Sequence, residues 1–220
     1  MPSYSGIFTL QTQMQAIAAG TWTGLPRVIG SAYEGGFYAG QISTTGNGIA
    51  DYNLVVGPVA SAQATGLRWK IVNTGGDPTS VIDGPANSAT MNSVVYPAAQ
   101  FCEGLTIGGF SDWYMPAKNE LEVCYYNLKP DTTANNTSSG INANAVPARA
   151  SNYTAGTPAQ TTATDFKDTG TEDFLLDAYW SSTENTSTTG WFGYFTTGQQ
   201  YGLNPKTTTG NVRAIRRVPV

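Results

Sequence analysis

Histidine is absent from the chain. Its absence rules out a Ser-His-Asp triad, a Cys-His pair, an imidazole general base and an imidazole metal site. Charge is scarce as well: 11 basic and 15 acidic residues make up 12% of the sequence and leave a net charge of −4. The one basic cluster, Arg213, Arg216 and Arg217, is too small for the cationic face that phosphate backbones require, so nucleic acid is not an expected partner. Only two cysteines occur, Cys102 and Cys124, which is too few for a disulfide framework. Both fall in segments that read as helical with apolar neighbours. Small buried side chains are expected there, with a single bridge between the two helices as the alternative. No run reaches the ~18 apolar residues of a membrane span, so membrane insertion is not expected. The start Met1-Pro2-Ser3-Tyr4-Ser5-Gly6 lacks the basic and apolar regions of a signal peptide, and export by the ordinary secretory route is not expected either.

Polarity is carried instead by Thr, Ser, Asn, Gln and Gly, a balance that suits short strands, turns and loops. The 220 residues suffice for one domain with a short appendage. Residues 1–30 read as that appendage. Leu10, Met14, Ile17 and Ala18 form one narrow apolar stripe at helical period, stopped by Gly20. A helix of about ten residues is marginal alone, so this head is expected to dock on the main domain, a neighbouring copy or a larger assembly.

Residues 31–220 read as the domain proper. Gly36–Ile42 and Asp51–Pro58 flank a Gly- and Thr-rich turn and predict a hairpin, followed by a strand at Leu67–Val72. Gly75-Gly76-Asp77-Pro78 and Asp83-Gly84-Pro85 read as turns. Two helices are expected, Pro97–Leu105 and one opening at Pro116 and running to Leu128, since proline is favoured at the first helical position. Residues 131–170 are a long excursion without periodicity, a length that marks a functional or mobile loop. Four strands follow, around 179–184, 191–196, 200–203 and 212–218, whose short spacing makes them sequential antiparallel neighbours.

The string Ile107-Gly108-Gly109-Phe110-Ser111-Asp112-Trp113-Tyr114-Met115-Pro116-Ala117-Lys118-Asn119-Glu120-Leu121, then Tyr179-Trp180-Ser181-Ser182-Thr183-Glu184, then Val212-Arg213-Ala214-Ile215-Arg216, resembles the Lcl-type C-terminal domain of bacterial surface and phage proteins. That family is similar to C-type lectins and to the formylglycine-generating enzyme fold. The resemblance implies an α+β, C-type-lectin-like domain with two helices and short antiparallel strands. Ser5–Gln11, with Gln15-Ala16 and Gly20-Thr21-Trp22, is similar to a segment recurrent in phage virion proteins, and implies that the head attaches the chain to a particle. The chain departs from the pattern at Ala117, where related domains often carry Ser or Thr, so Glu120 is expected to cap its helix alone. It also lacks the Glu-Pro-Asn type of motif of calcium-dependent lectins and the paired C-terminal cysteines of the enzyme.

Alternation puts Trp191, Gly193 and Phe195 on one face of their strand and Phe192, Tyr194 and Thr196 on the other. The resemblance turns the Phe195 face inward. Phe192 and Tyr194 would then join Tyr201, beside Asn185, Gln200 and Asn204, in an outward patch of rings and amides suited to sugar faces or peptide side chains. The alternative is that both faces are covered. Glu184 is expected to pair with Arg213 or Arg216 and tie the sheet. The acidic residues Asp165, Asp168, Glu172, Asp173 and Asp177 read as a solvated face, although Asp173 and Asp177 stand one helical turn apart and a glycan hydrolase needs two carboxylates across a cleft.

The expectation is a non-enzymatic phage virion protein, of tail or capsid fibre, made in the host cytoplasm and binding a host-surface glycan or protein. Its partners would include other virion proteins and copies of itself, trimeric fibres being common, and no metal or other cofactor is expected. The alternative is a structural or decorating component that contacts only other virion proteins.

Overall fold

The computed structural model describes residues 27–220, so the helical stripe and connector of the head lie outside the described residues. Residues 27–30 of that segment are described and lie on the first strands: Gly30 N–H donates to Tyr38 O at 2.8 Å. The architecture is α+β, with two five-stranded sheets and four α-helices among the described residues.

The first sheet has the order β1 (Ala32–Tyr33), β2 (Gly36–Ile42), β3 (Tyr52–Val56) and β10 (Ile215–Pro219), and β5 (Ala145–Val146) adds to β2. Its centre is the expected hairpin, with Phe37 opposite Val56 and Ile42 opposite Tyr52. The second sheet runs β4 (Gln63–Arg68), β9 (Thr209–Arg213), β6 (Ala178–Thr186), β7 (Thr189–Tyr194) and β8 (Gln200–Pro205). β6, β7 and β8 are sequential antiparallel neighbours as expected. The third strand starts earlier than expected, at Gln63, because it pairs with β9 from Arg213 back to Thr209.

Two expectations fail here for one reason. Val212–Val218 reads as a single strand that continues a four-stranded antiparallel sheet. The structure splits it at Ala214, whose N–H donates to Ala62 O and whose carbonyl accepts from Gly57 N. Residues before Ala214 therefore belong to the second sheet, where β9 lies parallel to β6, and residues after it close the first sheet against β3. A buried alanine fits this crossover because both its backbone groups are satisfied outside the two ladders.

Helix α1 (Val59–Ala62) is one turn. Helix α2 (Gly84–Thr90) stands where a turn is expected: Asp83 is its N-cap, accepting from Ala86 N, and Pro85 sits in its first turn. Helices α3 (Pro97–Glu103) and α4 (Lys118–Leu128) match expectation. Ala117 offers no side-chain acceptor at the start of α4. Glu120 alone reaches back, with Oε2 taking Ala117 N–H at 2.8 Å.

Two clusters fill the core. One joins Leu121, Cys124, Tyr125 and Leu128 of α4 to Ile42, Leu54, Phe174, Tyr179 and Phe195. The other gathers Trp69, Trp113, Trp180, Phe192, Cys102 and Val212. The second sheet is thus covered on both faces. Cys102 and Cys124 are free, buried and in different clusters.

The 131–170 excursion is packed against this core through Asn135, Asn142, Ala145, Tyr153 and Phe166, all buried. The turn that joins β7 to β8 meets the same helix: Gly198 has φ +69°, and a Cβ there would stand 2.1 Å from Tyr125 Cε1. Gly198→Ala should therefore cost about 1–3 kcal/mol, read as a lower midpoint in thermal unfolding. A variant as stable as the parent would show that the turn relaxes freely.

Candidate functional site

The ring-and-amide patch is only partly assembled. Phe192 is buried, 3% exposed, and stacks on Trp180 with ring centroids 3.6 Å apart. The expectation that it faces outward is wrong, because the second core cluster covers the face that was assigned to solvent. Tyr194 and Tyr201 remain half-buried neighbours, edge to face at 6.4 Å. Asn185 is a strut: its Nδ2 donates to Gly202 O at 2.8 Å, lacing β6 to β8. The amide nitrogens of Gln200 and Asn204 are buried and have no hydrogen-bond partner among the described residues. Beside the patch, Lys118 lies over the Trp191 ring at 4.5 Å. Burial holds its ammonium below the usual lysine value, with Glu122 opposing. The recess walled by Lys118, Tyr125, Tyr153, Tyr194 and Gln200 measures about 10 Å³, room for about one water molecule.

The expected ion pairs are redistributed. Glu184 pairs with neither arginine. It meets Lys206, at 2.7 Å, which is fully buried and also holds Asp77 at 2.6 Å and the carbonyls of Thr74 and Ser187. Lys70 and the Tyr96 hydroxyl complete the cluster on Asp77. Arg213 pairs with Glu172 at 2.8 Å and donates to the carbonyls of Gly57, Glu172 and Asp173. Arg216 forms a two-pronged pair with Asp112, at 2.7 and 2.9 Å. The split at Ala214 sends Arg216 to the first sheet, while Arg213 stays on β9 beside β6 and is taken up by Glu172.

The acidic stretch has structural partners too. Glu172 serves Arg213, Asp173 accepts from Thr169 N, and Asp177 accepts from Asn211 Nδ2. Asp173 and Asp177 share no helix. Among the described residues no group of three His, Cys, Asp or Glu is placed to hold a metal ion, and no helix is long and apolar enough to cross a membrane.

The sizeable concavity lies elsewhere. A cleft of about 650 Å³ is lined by Thr44, Tyr52, Ser80, Asp83, Asp112 and Arg217, with Ile82, Pro85 and Tyr114. That volume is within the range of ligand pockets. Tyr52 opens β3, and Arg217 lies on β10 one diagonal away, since Arg217 pairs with Leu54 and Pro219 with Tyr52. The guanidinium stands 5.1 Å from the Tyr52 ring.

Glu120, in the first turn of α4, anchors it. Its carboxyl takes Arg217 Nε at 2.7 Å, the Tyr114 hydroxyl at 2.6 Å and Ala117 N–H. Burial raises the Glu120 carboxyl, with Arg217 opposing. Three donors converge on its two oxygens and oppose that rise. Burial pulls Arg217 down, but Glu120 and Tyr114 outweigh it and hold the guanidinium above its usual value. Arg217 Nη2 donates to Ile82 O, which leaves Nη1 facing Asp83, 3.9 Å away and half exposed. On the far wall Thr44 donates twice to Asp51, and these bonds lower the Asp51 carboxyl.

Sequence reasoning missed this cleft. Its lining comes from the β2–β3 turn, β3, the loop before α2, the segment before α4, and β10. No spacing rule joins such positions: Asp112 stands in the sequence only as one residue of the family motif, and Arg217 as one member of a basic trio.

The family profile described as the Lcl C-terminal domain matches residues 59–216. No curated protein matches the chain. Among solved structures, a fimbrial protein from Bacteroides ovatus is similar over 74% of this chain at 16% identity, with a TM-score of 0.40, and the match spans 35% of that protein.

Proposed function

The chain belongs to the Lcl C-terminal domain family, and from that premise we propose that it is a non-covalent recognition module on a bacteriophage particle, whose lectin-like domain holds a host-surface glycan or protein. One observation carries the proposal: the open Tyr52–Arg217 cleft combines an aromatic ring, hydroxyls and an Asp83–Arg217 carboxylate–guanidinium pair on a rigid sheet edge. Rings cover the apolar faces of sugars or side chains, and the polar groups orient them. The cleft replaces the β7–β8 patch as the main contact, because Phe192 is buried there and the adjoining recess is water-sized.

The protein should bind intact host cells, and Tyr52→Ala, compared at a temperature where both proteins are folded because the ring also packs against the first core cluster, should weaken that binding roughly tenfold or more. Equal binding by parent and variant would overturn the proposal. The exposed Ile71, Val72 and Val94 favour a second reading, a decorating component that meets only other virion proteins. In that case particles carrying Tyr52→Ala would adsorb normally, and substitutions at Val72 and Val94 would impair assembly.

A further inference from the structure

The hydrogen-bond inventory of the cleft specifies its ligand further. Among the side chains that line the cleft, Asp83 and Asp112 are acidic and Arg217 is basic, so negative charge exceeds positive by one. Behind them Arg216 pairs with Asp112, and Arg217 with Glu120. Arg216 is consumed by Asp112 and the Glu34 carbonyl, and Arg217 Nε and Nη2 are consumed by Glu120 and Ile82. An anionic ligand would meet a net negative wall with almost no cation left to pair it.

What remains open is a matched set. Asp83 uses Oδ1 for Ala86 N–H, which leaves Oδ2 as an acceptor. Arg217 Nη1 remains as a donor at 3.9 Å from Asp83. Ser80 Oγ accepts from Ile82 and Asp83 N–H and keeps its own proton to give. A carboxylate acceptor beside a guanidinium donor fits two adjacent hydroxyls, each of which both gives and takes a hydrogen bond. The half-buried Tyr52 ring offers a face for the C–H side of the same ring.

We propose that the cleft takes an uncharged sugar bearing vicinal hydroxyls, held by Asp83 Oδ2 and Arg217 Nη1 against Tyr52, and that it rejects uronate-, sialate- or sulfate-bearing chains. This rests on the reading of the cleft as the recognition site.

The test titrates the full chain with three oligosaccharide sets: neutral hexose oligomers, polygalacturonate and chitosan oligomers. At least one neutral hexose oligomer should bind, with affinity unchanged within about twofold between roughly 0.05 and 0.5 M salt. Asp83→Asn, which keeps the helix-cap acceptor, should weaken that binding several-fold by trading a charged acceptor for a neutral one. Salt-sensitive binding of polygalacturonate that Asp83→Asn strengthens would overturn the inference and leave the recognition site standing. Salt-sensitive binding of chitosan that Asp83→Asn abolishes would do the same. No binding in any set, with the variants folded, would overturn the glycan reading beneath it.

Discussion

Replacing Arg213 by methionine should lower the unfolding free energy by roughly 3–5 kcal/mol, the cost of removing one member of a buried pair. The Arg213 side chain is fully buried, yet four of its bonds are filled, by Gly57 O, Glu172 O, Asp173 O and Glu172 Oε2. Burial pulls the guanidinium down to about 10, with Glu172 opposing, so it is charged at neutral pH. Phe174 and Phe166 flank it, at 4.9 and 5.7 Å. Methionine keeps much of the volume and none of the donors. Three carbonyls would lose a partner, and Glu172 would keep only Val59 N–H at 2.8 Å. Glu172 retains some contact with water, which places the loss toward the lower end of the range. The measurement is a urea titration in which the midpoint falls and the slope is unchanged. In a thermal scan the same loss reads as a drop of about 6–20 °C. A loss under about 1 kcal/mol would show that the arginine is a passenger in this core.

Lys206→Met should cost a similar amount, roughly 3–5 kcal/mol, for a related reason at the other end of the sheet. Lys206 is the hub between Asp77 and Glu184, and its ammonium lies 4.8 Å from the Trp69 ring. Without it Asp77 keeps Lys70 and Tyr96, and Glu184 keeps Asp77 N–H at 3.0 Å. A double-mutant cycle should give at least about 1.5 kcal/mol of coupling between Glu184 and Lys206, and near zero between Glu184 and Arg213. The reverse result would restore the pairing expected from the sequence.

The effect should depend on pH in one direction. Burial raises the Asp77 carboxyl, but the bonds from Lys206, Lys70 and Tyr96 outweigh it and hold it below the ordinary aspartate value. A lowered carboxyl stabilises the fold above its unfolded value and loses that contribution as pH falls through the folded value. The gap between parent and Lys206→Met should therefore be full at neutral pH and close as the solution is taken below about 3.8. A gap that widens in acid would contradict this assignment.

Local signals carried much of the fold. The β2–β3 hairpin stood out because turn residues separate two apolar runs, and α4 because Pro116 precedes a helical period ending at Leu128. The motif residues around Asp112–Leu121 and Tyr179–Glu184 pointed to the family that the profile match bears out. What failed was set by tertiary context. Asp83-Gly84-Pro85 carries the same residue types whether it turns the chain or starts a helix, and only packing against α3 and β6 decides. Phe192 and Phe195 sit on opposite faces of a sheet that is buried on both, so alternation alone could not say which was wet. Lys206, Glu172 and Asp112, which pair with Glu184, Arg213 and Arg216, lie 22, 41 and 104 positions from them in sequence. The candidate cleft was the least legible part, since each of its walls belongs to a different segment.

The crossover at Ala214 bears on how the molecule comes into being. The strand completing the sheet that β2 and β3 begin is β10, far along the chain from both, and the strand just before it sits between β4 and β6. Neither sheet can finish pairing until residues 209–219 have been made. Such dependence on distant partners makes acquisition of the native state slow and leaves early strands with open edges in the interval. Chains cut short by even eight residues would lose a strand from one sheet and the clamp that joins it to the other.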